Sequence, residues 1–213
     1  LRTMRIKVCG NTQLHQVYAM DEMGVEFAGF IFYHKSPRCV VGRIGEAALK
    51  KAKLKINKVG VFVNAGYDEV MNDVEKYGLY MVQLHGDESP RLCERISDQV
   101  PTIKVFRIKE GDNIDWKIRE YKNVSDLFLF DTDWSNYGGS GKKFDWHILD
   151  GAHINKPFLL SGGIGIEDTD ALRSFAAGKH GTNLFAADVN SKLESSPGIK
   201  DMEKVRKFVE ALR

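Results

Sequence analysis

The chain has 213 residues, with 43% apolar and 28% charged side chains, which suits one domain with a sizeable core and excludes disordered, collagen-like and disulfide-scaffold classes. Its formal net charge is +2, from 31 basic and 29 acidic residues, with no basic block that would suggest a nucleic-acid partner, so an anionic ligand must be met by local groups. Cys9, Cys39 and Cys93 are odd in number and lack C-x-x-C spacing, which predicts neither a disulfide framework nor a structural zinc site and fits a reducing cytoplasm.

The first apolar run, "RIKVC" (5–9), reads as a strand that stops in a Gly-Asn-Thr turn, and helical periodicity follows over 13–23. The same rhythm repeats with "FAGFIF" (27–32) and a helix over 43–54, "KVGVFV" (58–63) and 67–77, and "YMVQLH" (80–85) and 88–97. It continues with "TIKVFRI" (102–108) and 113–121, "DLFLFD" (126–131) and a weaker segment near 145–151, "PFLLS" (157–161) and 167–176, and "NLFAADV" (183–189) and 201–212. No apolar run approaches the roughly 18 residues needed to cross a bilayer, and no signal-peptide pattern precedes the first strand, so no membrane association is expected. Met4 reads as the native start, which sets residues 1–3 apart from the fold.

Strands that alternate with helices pair in parallel through right-handed crossovers, and eight such units close into a barrel. The expected fold is therefore α/β: a single compact (β/α)8 TIM barrel over residues 1–213, near the lower size limit for that architecture. An open doubly wound sheet competes, but the first strand lacks the G-x-G-x-x-G turn of its commonest dinucleotide-binding form. In a barrel, chemistry gathers at the carboxyl ends of the strands. Cys9, His85, Asp131, Ser161 with Gly162 and Gly163, and Asp188 all fall there.

The segments "KVCGNT", "GFIFYHKSPRCV", "VGVFVN", "VQLHGDE", "FDTDWSNYGGSGKKFDW", "LLSGGI" and "ADVNSKLESSPGIKD" occur in that order from residue 7 to about 201. In this order they resemble the motifs of the phosphoribosylanthranilate isomerases of tryptophan biosynthesis. The resemblance implies an Amadori rearrangement of N-(5′-phosphoribosyl)anthranilate, without a cofactor or metal, by a monomer or homodimer. It also implies Cys9 as general base and Asp131 as general acid. One proton donor and one acceptor suffice for that chemistry: the acid protonates the furanose oxygen to open the ring, and the base takes the C2′ proton.

A cysteine serves as base only as thiolate, which a nearby cation promotes. Lys7 lies two residues earlier on the same face of the strand and is expected to lower the thiol's pKa. Taken alone, a strand cysteine is more often a buried small hydrophobe, and a strand-end aspartate more often caps the next turn. For Asp131 the apolar strand favours the proton-donating form.

The resemblance further implies Arg38 as holder of the anthranilate carboxylate, a bidentate task that lysine would not perform equally. It implies Gly162 and Gly163 as part of a phosphate site, and Asp188 and Asn190 as contacts to substrate hydroxyl and phosphate. Backbone N–H groups in the last two loops of a barrel commonly bind phosphate. His85 reads equally well as a substrate contact or as a hydrogen-bonded structural residue. Lys192 stands where glycine is commoner in the family, and Asn190 where serine is common, which leaves the path of the phosphate loop open.

"NYGGSGKKF" superficially suggests a nucleotide loop, but Asn136 and Lys143 break the P-loop pattern, and the segment reads instead as a cover over the ligand. Cys39 and Cys93 read as structural. Two other functions compete. A phosphosugar epimerase is disfavoured by a rim poor in metal-binding histidine, and a barrel that only binds ligand is disfavoured by the presence of both Cys9 and Asp131.

Overall fold

The computed structural model describes residues 4–132 and 145–213. The glycine-rich segment expected to cover the ligand lies outside the described residues. Eight parallel strands close into a barrel in sequence order: β1 (Arg5–Val8), β2 (Phe27–Ile31), β3 (Asn57–Phe62), β4 (Met81–Leu84), β5 (Thr102–Ile108), β6 (Leu127–Thr132), β7 (Phe158–Leu160) and β8 (Leu184–Val189). Helices α1 (Leu14–Glu22), α2 (Glu46–Lys51), α3 (Tyr67–Tyr77), α4 (Pro90–Ser97), α5 (Ile114–Ile118), α6 (Thr169–Ala177) and α7 (Met202–Leu212) occupy the crossovers.

Period-two alternation along the strands creates two cores. Phe27, Val59, Met81, Ile103, Val105, Leu127, Leu129, Leu159 and Ala186 fill the barrel interior. The alternate positions, among them Phe30, Phe62, Leu84, Phe128, Phe130 and Phe158, pack against the helices. Inward residues that lie beyond the apolar plug must therefore emerge at the carboxyl rim.

Helix ends follow local chemistry. Ser89 accepts the Leu92 N–H ahead of α4, with Pro90 in its first turn, and Asp201 accepts the N–H groups of Glu203 and Lys204 ahead of α7. Among its described residues the sixth crossover carries a 3₁₀ segment, Trp146–Gly151, capped by Asp145. Such tight turns serve in short pieces, which accounts for the weak periodicity there. α2 is shorter than its periodicity suggests, because residues 40–45 form turns tied to the end of β2, with the Val40 N–H donating to the Ile31 carbonyl. A small antiparallel hairpin, β9 (Glu194–Ser196) with β10 (Ile199–Lys200), precedes α7 and has no counterpart in the sequence reading.

Candidate active site

The expected site residues meet at one rim, in two connected groups. The first surrounds Cys9, immediately after β1. Lys7 pairs in register with Asp188 of β8, and its Nζ donates to Asp188 Oδ1 at 2.8 Å with both side chains buried. Burial pushes the Lys7 ammonium down, but Asp188 and Cys9 outweigh it, so the lysine stays firmly charged. Burial also pushes the Cys9 thiol up, and here it prevails: Lys7 and Lys200 pull the thiol down without overcoming it. The sequence reading placed Lys7 correctly as a neighbour of Cys9 but expected the net shift to be downward. Charge is legible from residue types, whereas the desolvation of a thiol enclosed against Gly29 is not; a Cβ on that glycine would lie 2.7 Å from Sγ.

The second group surrounds Asp131 near the end of β6. Its Oδ2 lies 3.2 Å from His85 Nε2, and its Oδ1 accepts the Thr132 N–H at 2.9 Å. His85 is thus tied to the expected acid rather than isolated on the rim. Asp188 links the two groups, since it feels the charges of Lys7, Asp131 and His85.

Arg38 reaches the rim from the loop after β2. Its Nε and Nη2 donate to the Glu194 carboxylate at 3.0 and 2.7 Å, a side-on fork. Glu194 also accepts from Lys200 Nζ at 2.9 Å and from the Gly198 N–H at 3.0 Å, and Lys200 donates to Asn190 Oδ1 at 2.8 Å. Burial pushes the Glu194 carboxyl up, but Arg38 and Lys200 hold it below the ordinary range. Two cations around one carboxylate leave this corner net positive, with the Nη1 edge of Arg38 not used by Glu194. Sequence reasoning missed Glu194 and Lys200, although both lie in the quoted "ADVNSKLESSPGIKD".

Two glycines permit this crowding. Gly10 has φ 73°, and a Cβ there would lie 2.7 Å from Asn190 Oδ1 and 2.8 Å from Arg38 Cδ. Gly162 has φ 98°, and a Cβ there would strike the Thr132 side chain and sit 2.8 Å from its backbone nitrogen. The loop after β7 therefore closes against the end of β6 beside Asp131. Gly162 and Gly163 share the rim with Asn190 because β7 and β8 are adjacent. Exposed Lys192 spans the two loops by pairing with Glu167 at 3.3 Å.

A cleft of about 410 Å³ opens on the β4–β5 side of this rim, lined in part by His85, Lys104, Arg107 and Trp116. A cavity of about 480 Å³ lined by Arg5, Phe185 and Arg213 lies at the amino ends of the strands, away from these groups. Cys39 and Cys93 are free, with Cys93 buried and its thiol pushed up to about 11 by burial. No helix among the described residues is long and apolar enough to cross a membrane.

Comparison with known proteins identifies the family. The family model described as N-(5′phosphoribosyl)anthranilate (PRA) isomerase matches residues 6–211. An N-(5′-phosphoribosyl)anthranilate isomerase of Parabacteroides distasonis is 40% identical over 211 residues, covering 98% of this chain and 93% of its own. The crystal structure of phosphoribosyl anthranilate isomerase from Thermotoga maritima superposes with TM-score 0.81 at 29% identity, covering 98% of each chain. A phosphoribosyl anthranilate isomerase in complex with reduced 1-(o-carboxyphenylamino)-1-deoxyribulose 5-phosphate gives TM-score 0.79 at 27% identity, again over 98% of each chain. With the match running through every strand of the barrel and both groups of rim residues, the chain belongs to the N-(5′-phosphoribosyl)anthranilate isomerase family.

Proposed function

We propose that the protein converts N-(5′-phosphoribosyl)anthranilate into 1-(o-carboxyphenylamino)-1-deoxyribulose 5-phosphate in tryptophan biosynthesis, with Asp131 as general acid and Cys9 as general base. The observation that carries this assignment is the joint placement of the two residues at one barrel mouth, electrostatically linked through Asp188. The reaction is an internal redox change in which C2′ is oxidised and C1′ reduced, so it requires no external electron carrier and no cofactor. A cytoplasmic monomer or homodimer would meet its needs.

Asp131 gives a proton to the ring oxygen, the C1′–O bond breaks, and the anthranilate nitrogen supplies electrons to form an iminium. Cys9 then removes the C2′ proton to give an enolamine. Proton gain at C1′ and loss from the 2′ hydroxyl complete the ketone, and both side chains return to their starting states. Burial holds the resting thiol protonated more firmly than in water, so the reaction runs from the thiolate fraction, whose proton passes to solvent before the C2′ proton is taken and which is restored when Asp131 is reprotonated. The iminium places a new positive charge beside Cys9 when the thiolate is needed, and Lys7 and Lys200 act in the same direction.

Arg38 would take the anthranilate carboxylate on the edge that Glu194 leaves unused, in a corner already net positive. The phosphate would sit between Gly162–Gly163 and the loop at Asn190, with Asp188 facing the sugar hydroxyls and His85 serving Asp131. The direct test mixes purified protein with freshly formed phosphoribosylanthranilate and follows the loss of anthranilate fluorescence. Acceleration that survives dialysis against a chelator is expected. An unchanged rate would overturn the assignment.

A further inference from the structure

Gln83 occupies an unusual position for a polar side chain. It lies on β4 between inward-facing Met81 and His85, it is fully buried, and its side-chain nitrogen lies 3.0 Å from His85 Nδ1. Its carbonyl oxygen is buried without a hydrogen-bond partner among the described residues. Leaving such an acceptor unsatisfied is destabilising, so the arrangement needs a compensating reason. We propose that Gln83 is a positioning residue whose carboxamide fixes His85 in the tautomer that presents Nε2–H to Asp131.

The argument follows from donor and acceptor inventory. An amide nitrogen only donates, so Nδ1 facing it must be the bare, accepting nitrogen, and a neutral imidazole then carries its proton on Nε2. Nε2 is the atom 3.2 Å from Asp131 Oδ2. Turning the amide over would place its oxygen against Nδ1 and demand a proton there. Nε2 would then either accept the Asp131 proton itself and hold it away from the ring oxygen, or be protonated as part of an imidazolium.

The inference rests on Asp131 being the acid. When Asp131 surrenders its proton it becomes a carboxylate, and the groups among the described residues that receive that charge are the Thr132 N–H on Oδ1 and the His85 N–H on Oδ2. A preorganised donor aimed at developing charge assists the step without rearrangement. Gln83 keeps that donor aimed while touching neither substrate nor acid.

Histidine ¹⁵N spectra of the intact protein test this directly. The chain has 6 histidines, and His85→Asn identifies the signal. At about pH 8, His85 is expected to show a protonated Nε2 and a bare Nδ1. The opposite tautomer, or an imidazolium, overturns the proposal whatever any variant does. Gln83→Met should then give mixed tautomers and lower kcat about 10- to 100-fold with KM changed less than about threefold. An unchanged tautomer with unchanged kcat refutes the role. Should that variant fail to fold, Gln83→Glu is expected to protonate Nδ1 and yield an imidazolium. Asp131→Asn separates the two readings: if it keeps its turnover, the acid assignment falls while the tautomer measurement stands on its own.

Discussion

Two buried lysine–carboxylate pairs, each 2.8 Å long, lie on opposite sides of the barrel wall. Lys104 and Glu88 face the helix layer, and every valence there is used. Glu88 accepts the Asn64 N–H with Oε1 and the Gly86 N–H with both oxygens, while Lys104 Nζ also donates to the Gly86 carbonyl at 2.7 Å. Lys7 and Asp188 face the mouth, where Asp188 receives only the Lys7 hydrogen bond among the described residues and confronts Cys9, Asp131 and His85. A buried charge pair with its hydrogen bonds filled staples loops together. One that keeps an open face toward other titratable groups is set up for chemistry.

That contrast breaks first at Cys9. Cys9→Ala should lower kcat about 10²- to 10⁴-fold, the usual contribution of a positioned base, with substrate affinity and thermal midpoint near those of the wild type. Retention of most of the turnover would remove the thiol from the mechanism. Alkylation should inactivate the wild type, and bound substrate should slow it.

The two lysines should then fail in different ways. Lys104→Met leaves Glu88 buried and unpaired, for an expected loss of about 3–5 kcal/mol in urea unfolding, with kcat of the folded protein unchanged. Burial pushes the Glu88 carboxyl up, but Lys104 and the backbone N–H groups outweigh it, so its folded pKa lies below the unfolded value of about 4.3. Its contribution to stability is therefore complete above that value and lost as pH falls through the lower folded value. Glu88→Gln should flatten the acid limb of wild-type stability. Lys7→Met should instead raise the pH at which Cys9 is alkylated and lower kcat. If Lys104→Met impaired turnover as much as Lys7→Met, the distinction between the pairs would be lost.

The sequence was most legible where physics is local. Short apolar runs between polar turns located all eight strands, and rim logic selected Cys9, His85 and Asp131, because a strand's last inward residue must emerge at the mouth. What escaped depends on contacts across the chain. Glu194 meets Arg38 over 156 positions, through a hairpin too short to leave a periodic signal, so neither it nor Lys200 was visible as a partner. Lys7 was placed beside Cys9 by i, i+2 spacing, but its bond to Asp188 exists only because β8 closes on β1. The direction of the Cys9 shift depended on enclosure, which residue identity does not encode.

A smaller effect is expected at Arg38. Arg38→Lys keeps the charge but loses the fork that Glu194 grips side-on, so KM should rise about tenfold while kcat falls less. Glu194→Gln should reproduce part of the rise, because it loosens the same guanidinium without removing it. Unchanged affinity of Arg38→Lys for a product analogue that carries the anthranilate carboxylate would contradict the assignment.

The smallest effect tests the comparison at its exposed limit. Lys192 and Glu167 form an exposed lysine–carboxylate pair to set beside those of Lys7 and Lys104, 3.3 Å apart, with about half of each side chain in solvent. Exposed pairs contribute about 0–1 kcal/mol, since water screens the attraction and two long side chains must be ordered to make it. Lys192→Gly should therefore leave the thermal midpoint almost unmoved. Its position between the loops after β7 and β8 makes phosphate affinity the sensitive quantity: loss of one nearby cation should raise KM less than about fivefold, and the rise should shrink as salt is added, because screening already removes most of the lysine's reach. A rise that is large and independent of salt would mean that Lys192 shapes the loop itself, and that exposure is a poor guide to which of the three pairs matters.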